Sequence, residues 1–91
     1  MSDLIPRLVA FRDARDWARF HTPANLAEAV NVEAGELQEL FLWGEEPTRE
    51  RVAEETADVL IYCLYMCEAY GLEPEAIIRE KMTMNAGKYP A

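Results

Sequence analysis

The chain has 91 residues, 51% of them hydrophobic, and 17 acidic against 9 basic side chains give a net charge of −8. That length leaves room for one domain, read as residues 1–91, with enough apolar content for a packed core and too little Gly and Pro for a low-complexity chain. The acidic balance excludes a sequence-independent grip on polymeric nucleic acid, which needs a basic face. The longest nearly apolar stretch, the nine residues Val59–Cys67, falls short of the ~20 that cross a bilayer.

The first helical segment runs from about Asp3 to Arg19. Ser2 can cap it, Asp3 lies in its first turn, and Pro6 is close enough to the start to be tolerated. Leu4, Leu8, Phe11 and Arg15 share one face, with Ile5 beside them. Thr22-Pro23 opens the second segment as N-cap and N1, and Gly44 stops it after Trp43. Glu45-Glu46-Pro47 is a loop. Thr48 caps the third segment, which continues to about Tyr70 before Gly71, and Pro74 starts a fourth that ends near Ala86-Gly87. No run alternates with period two between turn residues, so no strand is predicted and the fold is all-α with four helices.

Between Ala57 and Cys67 the third segment is apolar almost all round. A helix apolar on every side is buried on every side, and so short a chain has few helices to surround it. The expectation is a homo-oligomer in which the third helix packs on another subunit in a bundle-like assembly. Cys63 and Cys67, four apart in this run, read as buried small hydrophobes and not as a disulfide. That suits a reducing cytosol, and no secretory signal is visible at the start of the chain, so a cytoplasmic location is expected.

Acidic residues occupy positions where apolar ones belong. On the second segment Leu26, Val30, Glu33, Leu37 and Leu40 form a stripe that Glu33 interrupts, and Glu36 has Ala29, Val32, Leu40 and Trp43 for neighbours. On the third, Val52, Glu55, Val59, Tyr62 and Met66 form a stripe that Glu55 interrupts, and Asp58 follows at i+3. Each i,i+3 pair emerges on one face, and the pairs are separated by eighteen residues. A short connection makes the two helices antiparallel neighbours, so the pairs can converge. Four carboxylates in a partly buried place need a positive partner. Arg or Lys would serve, as would a hard cation such as Mg²⁺, Mn²⁺ or Ca²⁺. Zinc is disfavoured, since His21 is the only His, and a di-iron centre would want Glu-x-x-His pairs. Glu28, Glu39, Glu50 and Glu54 read as ordinary surface residues or partners of Arg.

Lys81, Asn85 and Lys88 fall on one face of the last segment, with Tyr89 beside them. Lys near a helix C-terminus is favoured by the dipole alone; the other reading is a phosphate-binding face. Trp17 and Trp43 each end a helix, as core residues or as flanks for a planar base. His21 reads as a cap or loop hydrogen-bonder.

The ordered set Arg15-Asp16-Trp17, Phe20-His21-Thr22-Pro23-x-Asn25-Leu26, Glu33-Ala34-Gly35-Glu36-Leu37, Leu40-Phe41-x-Trp43, Ala57-Asp58-Val59-Leu60-Ile61-Tyr62 and Lys81-x-x-x-Asn85-x-x-Lys88-Tyr89-Pro90 resembles the MazG-like nucleoside triphosphate pyrophosphohydrolases. They belong to the all-α NTP pyrophosphatase superfamily, and the likeness is to the dCTP pyrophosphatase branch. The resemblance implies that Glu33, Glu36, Glu55 and Asp58 hold Mg²⁺, or Mn²⁺ in its place. It implies that Lys81, Asn85, Lys88 and Tyr89 hold the triphosphate, and that Trp17 and Trp43 line the base pocket. The implied reaction converts a nucleoside triphosphate, dCTP-like or a modified pyrimidine, to monophosphate and pyrophosphate, with Glu33 or Glu36 taking the proton from water. Dimers or tetramers with sites near subunit contacts are expected. Leu8 stands where dCTP-hydrolysing members carry His, which leaves the base preference open. The competing readings are a non-catalytic nucleotide- or metal-binding module and a helical assembly protein.

Overall fold

The computed structural model describes residues 3–91. The elements are α1 (Leu4–Ala14), a single 3-10 turn (Ala18–Phe20), α2 (Pro23–Glu39), α3 (Arg49–Ala69) and α4 (Pro74–Lys88), with no strand among the described residues. The expected cap at Ser2 lies outside the described residues. No helix among them is long and apolar enough to cross a membrane.

The starts of α2 and α3 follow from their caps. Thr22 Oγ1 accepts from the Asn25 amide at 3.2 Å, and Thr48 Oγ1 accepts from the Arg51 amide at 3.2 Å. Each satisfies a backbone donor that the first turn leaves without a helical partner. Glu73 caps α4 through the Ala76 amide, with Pro74 in the first turn. At the end of α3, Gly71 takes φ +63°, its amide donates to Glu68 O, and the Leu72 amide donates to Cys67 O at 2.8 Å. This pairing closes the last carbonyls of a helix around a left-handed residue.

Two boundaries differ from the reading of the sequence. α1 ends at Ala14 and not near Arg19, because Asp16 adopts φ +56° and the Asp16 and Trp17 amides bond back to Asp13 O and Arg12 O. That is the same closing motif as at Gly71, with Asp in the place Gly normally fills; Asp is among the few side chains that tolerate this conformation. α2 ends at Glu39, and the chain continues in tighter turns, Phe41 N to Gln38 O and Leu42 N to Glu39 O, until Gly44 at φ +80°.

The α2–α3 connection folds α3 back along α2, and α1 packs across α3. Among the described residues Leu26, Leu64, Tyr65 and Cys67 form the buried apolar core of α2 and α3. Tyr65 ties α1 to α3: its hydroxyl donates to Leu8 O at 2.8 Å. Arg12 adds a second tie, donating to Glu68 at 3.1 Å with its guanidinium 5.8 Å from the Tyr65 ring centroid. The inward face of α1 is therefore Ile5, Leu8, Val9 and Arg12, and not the Leu4–Leu8–Phe11–Arg15 row; Leu4 and Phe11 are exposed. The cause is Arg12, which turns toward Glu68, while Phe11 turns out to meet Arg15 and Trp17.

α4 meets the body through its first turn. Pro74 is buried and Ile77 half-buried, and every residue from 78 to 91 is exposed. The radius of gyration, 15.5 Å, exceeds the ~12 Å of a compact domain of this length.

Leu26 is 2% exposed, so Leu26→Ala should cost about 2–5 kcal/mol. Tyr65→Phe, which keeps the ring and loses one hydrogen bond, should cost about 1 kcal/mol. Urea midpoints of the two variants check this order, and a Tyr65→Phe loss equal to that of Leu26→Ala would contradict it.

Candidate metal centre and adjoining groove

α2 and α3 bring three of the interrupting carboxylates together. One oxygen from each of Glu33, Glu55 and Asp58 lies within 4.8 Å of the others. Glu33 and Glu55 are half-buried, and the Oε2 atom of each is buried with no hydrogen-bond partner. Burial, a neighbouring Glu36 close enough to share a proton, and the charges of Glu36, Asp58 and Glu55 hold the Glu33 carboxyl above its ordinary range. Glu36 falls outside the three-oxygen group, lying next to Glu33 and facing the groove described below.

Unpartnered buried oxygens and mutual repulsion are unfavourable unless a cation offsets them. The donor set is oxygen only, with neither His nor Cys in it, and that chemistry fits a hard divalent ion. Among the described residues the ion pair made by this group is that of Glu55 with Arg51, at 3.5 Å.

Beside the carboxylates runs an open groove of about 610 Å³, between the end of α2, the connecting loop and the first turns of α3. Glu36, Glu55 and Arg51 line one part and Trp43 another, with Trp43 76% exposed. Glu39, expected as an ordinary surface residue, also lines it. The early end of α2 is the reason: the tighter turns after Glu39 bring Trp43 and the loop over the helix end.

The other candidate residues lie elsewhere. Trp17 does not line the groove; it packs edge-on against Phe11 at 5.7 Å, and the Arg15 guanidinium stacks 3.4 Å from the Phe11 centroid. Lys81, Asn85, Lys88 and Tyr89 are all exposed on or just after α4 and do not line the groove. Among the described residues the His21 side chain makes no hydrogen bond: its ring packs against Tyr65 at 4.7 Å and its Nδ1 is buried without a partner. Burial, and then the nearby Arg12 charge, push its pKa down, partly opposed by Glu68, so the ring is a neutral packing element. Arg51 escaped the reading of the sequence. Its i,i+4 spacing to Glu55 was the available signal, but such pairs are common on solvated helices.

The MazG-like family model matches residues 29–91, which include all four acidic residues and the whole of α4. dCTP pyrophosphatase 1 of Mus musculus is 41% identical over 88% of this chain and 53% of its own length. The Homo sapiens enzyme of the same name is 40% identical over 89% of this chain and 54% of its own. The chain thus spans about half the length of the curated relatives it matches. The crystal structure of a pyrophosphatase from Archaeoglobus fulgidus superposes with a TM-score of 0.91 at 38% identity, covering 100% of this chain and 93% of that one. On the evidence of the matched residues, the relatives and the shared fold, the chain belongs to the MazG-like family.

Proposed function

We propose that this chain hydrolyses a deoxynucleoside triphosphate to the monophosphate and pyrophosphate in a Mg²⁺-dependent reaction, with dCTP or a modified pyrimidine counterpart as the preferred substrate. The observation that carries this reading is the convergence of Glu33, Glu55 and Asp58, with two buried oxygens lacking partners, beside a groove that contains Trp43. The names of the relatives, dCTP pyrophosphatase 1, support this choice of base.

Glu33, Glu36, Glu55 and Asp58 would hold the divalent ion, with Mn²⁺ as a possible substitute. When bound, the ion offsets charge building on the phosphate oxygens. The residues of the chain do the rest. Trp43 stacks on the base. Glu36, at the groove, or Glu33 takes a proton from the attacking water. The water oxygen adds to phosphorus, and the bridge between the α- and β-phosphates breaks, leaving monophosphate and pyrophosphate.

Residues 1–91 are taken as one catalytic unit that works as a homo-oligomer, a dimer or a tetramer. The chain exposes 7152 Å², against about 5,400 Å² for a compact monomer of its 10.4 kDa mass. Leu60 on α3 and Ile78 and Met82 on α4 are each more than half exposed. A second copy covering these residues would bring its α4, with Lys81, Asn85, Lys88 and Tyr89, toward the triphosphate, and Trp17 toward the base. The free thiols of Cys63 and Cys67 suit the cytoplasm, where nucleotide pools reside.

³¹P NMR of a deoxynucleotide panel, with and without Mg²⁺, tests the reaction. Monophosphate and pyrophosphate, only with metal, are expected; orthophosphate and diphosphate would overturn the assignment, and no product from any nucleotide would leave a binding module or an assembly protein. Mg²⁺ alone should raise the melting temperature by mass action. Glu33→Gln should abolish that rise while stabilising the metal-free protein by about 1 kcal/mol, read as about 5 °C in a domain of this size.

The pH dependence has a definite sign. The Glu33 carboxyl is raised in the folded state, so its unfavourable contribution is absent below the unfolded pKa and complete above the folded one. Between wild type and Glu33→Gln, the stability difference should shrink as pH falls through that window, which thermal melts in metal-free buffer would follow.

A further inference from the structure

We propose that Arg51 is a phosphate-binding residue of the groove, held by Glu55 when no cation is bound and passed to the β- or γ-phosphate of the substrate when the divalent ion takes Glu55. This inference rests on the nucleotide reading above and adds a residue to it.

Arg51 is the one cation among the described residues that line the groove, where Glu36, Glu39, Glu45, Glu46 and Glu55 all present carboxylates. A triphosphate adds about four negative charges to that setting. The pair that holds Arg51 is unequal. The Glu55 side chain is 14% exposed and the Arg51 side chain 57%, at a separation of 3.5 Å. Glu55 is therefore largely packed, while the guanidinium is largely solvated. A contact this long between a packed carboxylate and a solvated cation is weak and readily exchanged.

The helix itself gives little reason for Arg51 to stand there. It lies in the first turn of α3, three residues after the Thr48 cap, where the helix dipole disfavours a cation. The order along the chain, base before acid at i,i+4, is also the weaker orientation. Glu55 has a second, competing use, since its Oε2 is buried without a partner and one of its oxygens lies within 4.8 Å of oxygens of Glu33 and Asp58. A divalent ion drawing on Glu55 would release the guanidinium into the groove. There its planar fork matches the paired oxygens of a phosphate.

Isothermal titration of Arg51→Gln and Arg51→Lys tests the exchange with two probes. One is Mg²⁺ or Mn²⁺ alone. The other is the non-hydrolysable α,β-methylene analogue of dCTP in the presence of the metal. Arg51→Gln should weaken the analogue about tenfold or more, and it should leave the affinity for the metal alone unchanged or tighter, because a competing cation has gone from Glu55. Arg51→Lys should fall between, keeping the charge and losing the fork. Analogue affinity within about twofold of wild type would overturn the proposal and make Arg51 a solvated surface residue. A parallel loss of metal affinity would also overturn it, since Arg51 would then act only by positioning Glu55. Failure of the wild type to bind the analogue with metal would overturn the nucleotide reading and this inference together, whereas wild-type binding with an indifferent Arg51→Gln overturns this inference alone.

Discussion

Repulsion among carboxylates is the constraint around which this molecule is arranged. Glu33, Glu55 and Asp58 meet within 4.8 Å, and two of their oxygens are buried without partners. Leu or Val at Glu33 and Glu55 would continue the apolar stripes of α2 and α3 and strengthen the contact between the helices. A fold that keeps charge there gives up stability in the metal-free state. The loss is bounded because Arg51 partly neutralises Glu55. The rest of the chain has to hold α2 against α3 despite this repulsion, and the buried set of Leu26 on α2 with Leu64, Tyr65 and Cys67 on α3 forms the core that does so.

Much of this was legible in the sequence because it rests on local chemistry. Thr22 and Thr48 start helices by accepting a hydrogen bond from one nearby amide through the side-chain oxygen, and Gly71 ends one by adopting positive φ; neither depends on distant contacts. The interrupted stripes located the acidic residues because helical period alone sets which side chains share a face. Asp16 was not legible. A left-handed residue is sought at Gly, and Asp adopts that conformation only as one of its less common choices. The inward face of α1 also escaped, because apolar periodicity favoured Phe11, while the partner that turns Arg12 inward, Glu68, lies 56 residues away. His21 carries the same lesson: its neighbours are the Tyr62 and Tyr65 rings of α3, which no local pattern connects to the loop before α2.

The aromatic and basic residues of the candidate site divide into two groups in space. Trp43 belongs to the groove because α2 ends early and the following turns carry the indole over the helix end. Trp17 belongs to a separate exposed cluster with Phe11 and Arg15, and the α4 residues stand clear of both. Motif order along the chain therefore says less about proximity here than it does for the carboxylates. The carboxylates lie on two helices joined by a short loop, so their convergence is intramolecular. The groups contributed by α1 and α4 have no such constraint.

The same open shape bears on how an acidic chain could handle an anionic ligand. With a net charge of −8, the surface as a whole repels a triphosphate, so attraction has to be local and short-ranged. Divalent charge at the carboxylates supplies one such point and the guanidinium of Arg51 a second. The α4 face supplies a third, with Lys81 and Lys88 held away from the carboxylates in the single chain, which avoids their forming ion pairs that would quench both partners. Cations kept apart from the acidic cluster remain available to phosphate. In this view the exposure of α4 and the weakness of the Arg51–Glu55 contact serve one requirement of the proposed reaction: positive charge must be present without being consumed by the carboxylate cluster.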